Sequence, residues 1–233
     1  MLNIDGKIVQ NPQTLAETFD KYFSHTVEES VIKTMKQNKN DPNIESHLNY
    51  VVDAYPKPIP PIRWKPVTKK ELVDISKSLK GKKSYGYDEI TSWIVKLCMP
   101  LIIAPLIYIC NKKLFTGTFP NRLKFAQISP VFEKGNNTEM TAYRPISLLT
   151  SFSKIFENVI YNRLLLHTDE NKIIARIQYG FTNKSSTELA IFTLLHHTLL
   201  NINSKALVCG IFCDLTKAFD TVNHGILMSK IEY

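Results

Sequence analysis

Residues 207–220 constrain this chain more than any other stretch. Leu207, Cys209, Ile211, Cys213 and Leu215 alternate with Val208, Gly210, Phe212 and Asp214. A period of two places the two sets on opposite faces of a strand. The pattern predicts a buried strand that aims Asp214 at its open face and delivers the carboxylate to its own end. Thr216, Lys217, Ala218, Phe219 and Asp220 follow at once and read as a turn into a helix. A carboxylate at such a turn can ligate a hard metal ion, and the free amides of the turn can hold phosphate. An aspartate there can equally do no more than cap the next helix. The residues alone leave both readings open.

The chain has 233 residues, 44% of them apolar, which is enough for a sizeable core and excludes wholesale disorder. Cys98, Cys110, Cys209 and Cys213 form no CxxC pair and have no regular spacing with the histidines. That argues against zinc and predicts buried free thiols in a reducing compartment. The chain does not open on a basic segment followed by an apolar one, so no signal peptide is read. The longest apolar run, residues 97–110, contains Pro100 and Pro105 and falls short of the ~20 residues of a membrane span. The expectation is a buried helix, no membrane partner, and a place inside the cell, in nucleus or cytoplasm.

Charge is uneven. The net +8 comes from 29 basic and 21 acidic residues. Residues 57–83 hold nine basic side chains (Lys57, Arg63, Lys65, Lys69, Lys70, Lys77, Lys80, Lys82, Lys83) against Glu71 and Asp74, a local excess of +7. With Trp64, Tyr85 and Tyr87 alongside, the stripe suits a polyanion whose phosphates meet lysines and whose bases stack on rings. A solvated face that keeps the chain soluble explains it as well.

Residues 11–35 predict a helix from Leu15, Phe19, Tyr22, Phe23 and Val27 at helical spacing, starting at Asn11-Pro12. The polar run 36–43 and the five prolines of residues 55–66 read as linkers, so residues 1–66 form a helical extension. Thr68 with Glu71 predicts a capped helix carrying Leu72, Ile75 and Leu79 and stopped by Gly81. Residues 84–90 make a turn and residues 91–115 a second, greasier helix. Residues 125–132 read as a strand and residues 135–141 as a polar loop. An amphipathic helix over 153–167 turns Ile155, Phe156, Val159, Ile160 and Leu164 inward. Ser185 with Glu188 predicts a capping box for a helix running to about Asn203.

Five blocks carry the chemistry. They are Lys83-Ser84-Tyr85-Gly86-Tyr87-Asp88-Glu89-Ile90; Ile128-Ser129-Pro130-Val131-Phe132-Glu133-Lys134-Gly135; Tyr143-Arg144-Pro145-Ile146-Ser147-Leu148-Leu149; Gln178-Tyr179-Gly180-Phe181 with Ser186-Thr187; and the Asp214 block ending Thr221-Val222-Asn223-His224. In this order they resemble the front half of a reverse transcriptase of the non-LTR retrotransposon class, jockey-like or LINE-like. The likeness covers the chain from about Lys80 onward. It implies an α+β fold, with helix-rich fingers and an incomplete antiparallel palm sheet of a right-hand polymerase. Residues 67–233 would then be fingers and the start of the palm, preceded by the extension 1–66.

The resemblance further implies copying of an RNA template onto a DNA primer at its target, with deoxynucleoside triphosphates as substrates and Mg²⁺ as cofactor. Asp214 would be the catalytic, metal-binding carboxylate of a two-metal nucleotidyl transfer. Lys217 and Ala218, in the turn after it, would hold phosphate oxygens through backbone amides. Phe219 would pack under the sugar and exclude a 2′-hydroxyl; as a residue it is equally a core phenylalanine at a helix start. Lys134 and Arg144 flank the loop 135–141 as at a hairpin tip, and in such polymerases they reach over the incoming triphosphate. Arginine suits that task because its fork binds phosphate bidentately; an exposed surface charge is the plain alternative.

Two positions depart from the pattern. Thr182 stands where the family usually has arginine, and Glu133 where it often has a second basic residue. No Asp-Asp dipeptide occurs among the 233 residues, whereas the family's second metal-binding element is an aromatic-x-Asp-Asp turn. The expectation is a polymerase fragment inactive by itself. The alternative is a catalytically dead basic RNA- or DNA-binding module, or a decayed remnant.

Overall fold

The computed structural model describes residues 1–4, 7–38, 44–57, 59–81, 85–183, 185–214 and 222–232, with only the backbone at 4, 7, 26–38 and 44–48. The chain mixes helices with two small antiparallel sheets. It divides into two compact units, Met1–Leu165 with Asp220–Tyr233, and Leu166–Phe219.

The first unit is built around three helices, α3 (Lys69–Ser78), α4 (Ser92–Thr116) and the first part of α5 (Ser151–Glu170). Thr68 caps α3 as expected, its hydroxyl accepting from the Glu71 amide at 3.2 Å. Thr91 caps α4 in the same way, and Gly117 ends it at φ +60, a left-handed conformation that glycine adopts without strain. Val95, Met99, Ile103, Leu106 and Cys110 line one face of α4 and pack on Leu72, Ile75 and Leu79 from α3 and on Ile155, Phe156 and Val159 from α5. Burying each such side chain contributes about 2 kcal/mol. Burial also pushes the Cys110 thiol up to about 12, so it is a core residue and not a nucleophile.

At 25 residues α4 is longer than its apolar run and is long and apolar enough to cross a membrane. Length therefore does not identify it as a core helix; its packed face does. Pro100 and Pro105 sit on the opposite, exposed face, where the carbonyls freed by their missing N–H groups meet water.

α5 departs from expectation at one seat. Leu164 is exposed and Arg163 is buried, at 7% exposure. Ile155, Val159 and Arg163 follow one another at intervals of four and share a face, which leaves Leu164 rotated outward. The Arg163 guanidinium binds both Glu71 carboxylate oxygens, at 2.6 and 3.0 Å, and donates to the carbonyls of Lys65 at 2.9 Å and Val159 at 2.7 Å. Asn111 on α4 pins the same segment by pairing its amide with the N–H and C=O of Val67.

Strands β1 (Leu2–Ile4) and β2 (Lys7–Val9) form a small antiparallel pair that periodicity did not reveal, because three residues are too few to show a period. Helix α1 (Pro12–Asn38) starts where Asn11-Pro12 predicted, the Asn11 side chain accepting from the amides of Gln13 and Thr14. Helix α2 (Ile44–Ala54) follows. Strands β3 (Ala126–Phe132) and β4 (Tyr143–Leu149) form a hairpin, and α7 (His224–Glu232) lies beside α2.

The second unit contains α6 (Thr187–Asn203). Its cap is Ser186, which accepts from Leu189; the expected box of Ser185 with Glu188 is shifted by one residue. Ser186 also donates to the Glu188 carboxylate and holds it below its ordinary range. Residues 205–214 are not a strand. Leu207, Ile211 and Phe212 are exposed, as are Cys209 and Cys213, against the expectation of a buried strand and buried thiols. Alternation is a property of one segment, whereas a strand needs a neighbour to bond and a layer to bury it; no described strand pairs with these residues.

Arg163→Ala should destabilise the chain by about 3 kcal/mol in urea or thermal unfolding, because Glu71 is left partly buried beside an emptied seat. Burial alone would push Glu71 up, but the hydrogen bond and charge of Arg163 outweigh it and hold the carboxyl below 4.5. A depressed carboxyl contributes stability above its ordinary pKa and loses it as pH falls through the folded value. The gap between wild type and Arg163→Ala should therefore narrow below about pH 4.5; a constant gap there would remove the ion pair as its source.

Candidate functional site

The first three sequence blocks meet in the first unit. The second and third pair as β3 and β4, in a register that sets Phe132 opposite Tyr143, Val131 opposite Arg144 and Pro130 opposite Pro145. The Glu133 amide donates to Ala142 at 2.9 Å, so pairs alternate from there and the two prolines face each other at a position with no ladder bond to lose. The first block closes on the far end of the hairpin. A Cβ on Gly86 would stand 2.7 Å from the Thr150 nitrogen and 2.9 Å from the Leu149 carbonyl carbon, so only glycine permits this approach. Ser151 donates to the Ile90 carbonyl at 3.1 Å, and Tyr87 to the Arg122 carbonyl at 2.6 Å.

The hairpin tip is ordered by its own polar residues. Gly135 adopts φ +97, and the Asn136 side chain accepts from both the amide and the hydroxyl of Thr138. Tyr143 donates its hydroxyl to the Asn137 carbonyl at 2.8 Å. Lys134 is exposed at the tip, and among the described residues it forms no ion pair. Arg144 is exposed on β4 and pairs through Nε with Glu133, an interaction the sequence did not announce. Two-residue offsets across a hairpin bring these side chains together only once the register is known. The departure at Glu133 thus places a carboxylate on the very arginine expected to meet triphosphate.

The fourth block and the Asp214 block as far as Phe219 belong to the second unit. Gln178 donates to the Gly180 carbonyl at 3.0 Å, and Thr182 to the Gln178 carbonyl at 2.8 Å, closing a tight turn. Phe181 stands at φ 59 and is exposed. Asp214 is exposed and lies in neither helix nor strand. Lys217, Ala218 and Phe219 lie outside the described residues. A Mg²⁺ site takes several oxygen ligands, and among the described residues no three His, Cys, Asp or Glu side chains converge. Asp214 belongs to no such group, and the described residues do not make up a metal site.

Comparison with known proteins places this arrangement in a class. Residues 132–233 match the family described as reverse transcriptase (RNA-dependent DNA polymerase). The chain is 36% identical over 169 residues, 72% of its length, to a probable RNA-directed DNA polymerase from transposon BS of Drosophila melanogaster. It is 33% identical over 165 residues to the RNA-directed DNA polymerase from mobile element jockey of the same organism, and 29% identical over 188 residues to the jockey polymerase of Drosophila funebris. The chain belongs to the reverse transcriptases of non-LTR retrotransposons. It spans about a fifth of these relatives, 19%, 18% and 20% of their lengths.

Glu133→Gln should free the Arg144 guanidinium. An exposed pair is worth about 0.2–1 kcal/mol, so the affinity of the chain for inorganic tripolyphosphate should rise by up to about fivefold at low salt. Calorimetric titration reads this directly, and unchanged or weaker binding would show that Glu133 does not compete for Arg144.

Proposed function

We propose that this chain acts as part of a mobile-element RNA-directed DNA polymerase that adds deoxynucleotides to a DNA primer on an RNA template. The observation that carries the reading is the family match over residues 132–233, which contains Lys134, Arg144 and Asp214 together. In this reading the β3–β4 hairpin and the three-helix core are fingers, residues 205–214 begin a palm, and residues 1–66 are an extension that precedes them. Arg144 and Lys134 meet the triphosphate from the tip. Lys217 and Ala218 supply backbone amides to it, and Phe219 excludes the ribose 2′-hydroxyl. Asp214 supplies a carboxylate to a Mg²⁺ site for two-metal nucleotidyl transfer. By itself the chain is inactive, a reading supported by the lack of three converging metal-ligating side chains among the described residues and of an Asp-Asp dipeptide among the 233 residues. In a complete polymerase carrying this sequence, Asp214→Asn should reduce primer extension to background while leaving template binding intact. Extension at the wild-type rate would end the assignment.

A second reading, a basic module that binds nucleic acid without catalysis, is favoured by one observation. Lys57, Arg63, Lys65, Lys69, Lys70, Lys77 and Lys80 are all exposed, with Trp64, Tyr85 and Tyr87 exposed beside them in sequence. Replacing Lys69, Lys70 and Lys77 by alanine should weaken RNA binding by this chain. It should also flatten the dependence on log salt by about one unit for each phosphate no longer neutralised. An unaltered slope would leave the stripe as a solvated face.

A further inference from the structure

A two-stranded hairpin alone is marginal in water. In β3–β4 the opposed prolines also lack the outward N–H groups that a third strand would need. Something else must hold its direction. The structure shows two separate attachments, both from the N-terminal segment, which lies outside the residues that match the family. At the tip, the Asn3 amide of β1 donates to the Thr138 carbonyl at 2.8 Å. On the strand face, Phe19 of α1 is nearly buried and meets the Tyr143 ring edge-on, with centroids 5.1 Å apart. Leu15, Phe19 and Phe23 line a groove with Ala126, Ile128 and Pro130 of β3.

Tyr143 is the joint between these attachments. Its ring meets both Phe19 and Phe132, the latter edge-on at 5.7 Å, and its hydroxyl donates to the Asn137 carbonyl inside the tip. The next residue is Arg144. We propose that the N-terminal segment, residues 1–23, sets the position of the hairpin tip through Phe19 and Tyr143, and so prepares Arg144 and Lys134 for a triphosphate. Phe19 and Tyr143 are positioning residues that touch no substrate. The inference rests on the reading of the tip as a triphosphate site and adds to it what keeps the tip in place.

Loss of preorganisation weakens binding while every group that touches the ligand stays present. In the full chain, Phe19→Ala should speed amide hydrogen exchange at residues 133–142, leave exchange in α4 unchanged, and weaken inorganic tripolyphosphate roughly three- to tenfold. Phe19→Leu should restore most of the affinity, since apolar bulk against the Tyr143 ring is what it replaces. Tyr143→Phe keeps the ring and deletes only the hydroxyl. It should loosen the tip while the chain stays folded, and so serves if Phe19→Ala unfolds. Wild-type tip exchange and affinity in Phe19→Ala, or in Tyr143→Phe where the former does not fold, would overturn the proposal. Arg144→Ala separates the two ideas: it should weaken tripolyphosphate without changing exchange. If Arg144→Ala binds like wild type, the triphosphate reading of the tip fails, and the exchange rates then decide on their own whether α1 holds the hairpin.

Discussion

The Arg163 guanidinium is the interaction on which the first unit turns. One side chain joins α5 to α3 through Glu71, closes back on its own helix at Val159, and holds the Lys65 carbonyl of the incoming segment. Every N–H it directs inward has an oxygen, which is the condition under which a buried charge is tolerated. With Asn111 fastening Val67 two residues on, the proline-containing approach to α3 is fixed to the core by polar contacts at its last residues. The apolar cluster of α3, α4 and α5 then packs around a frame whose directions are already set.

From that frame the hairpin projects, and its chemistry follows from what a hairpin lacks. The facing prolines cost no ladder bond, yet they deny both strands a further partner. The far end is anchored because Gly86 lets the turn before α4 approach the Leu149–Thr150 backbone closely. The near end is anchored by β1 and α1. Arg144 and Lys134 therefore stand exposed near the tip of an element held at both ends. Glu133 gives Arg144 a partner that a stronger anion can replace, since an exposed pair is weak.

Much of this was legible locally. Asn11, Thr68 and Thr91 mark helix starts because capping is a matter of one side chain and an amide two or three residues ahead. Helical spacing identified Ile155, Phe156 and Val159 as core. The motif order identified the family, which the comparisons show. Local reading failed where a second segment decides. The seat of Arg163 depends on Glu71 and Lys65, the Arg144–Glu133 pair on hairpin register, and the Phe19–Tyr143 contact on how α1 docks. The alternating run ending at Asp214 is exposed among the described residues, since a period of two states a preference for a sheet and supplies no sheet.

The sequence by itself determined most of the long helices, the starts at Asn11, Thr68 and Thr91, the polar hairpin tip and membership of a polymerase family, because each follows from residues near one another or from the order of short blocks. The tertiary structure decided which charge is buried, which is exposed and paired, and what supports the tip. Those outcomes depend on desolvation and on distances between segments far apart in the chain, and no spacing along a single segment encodes either.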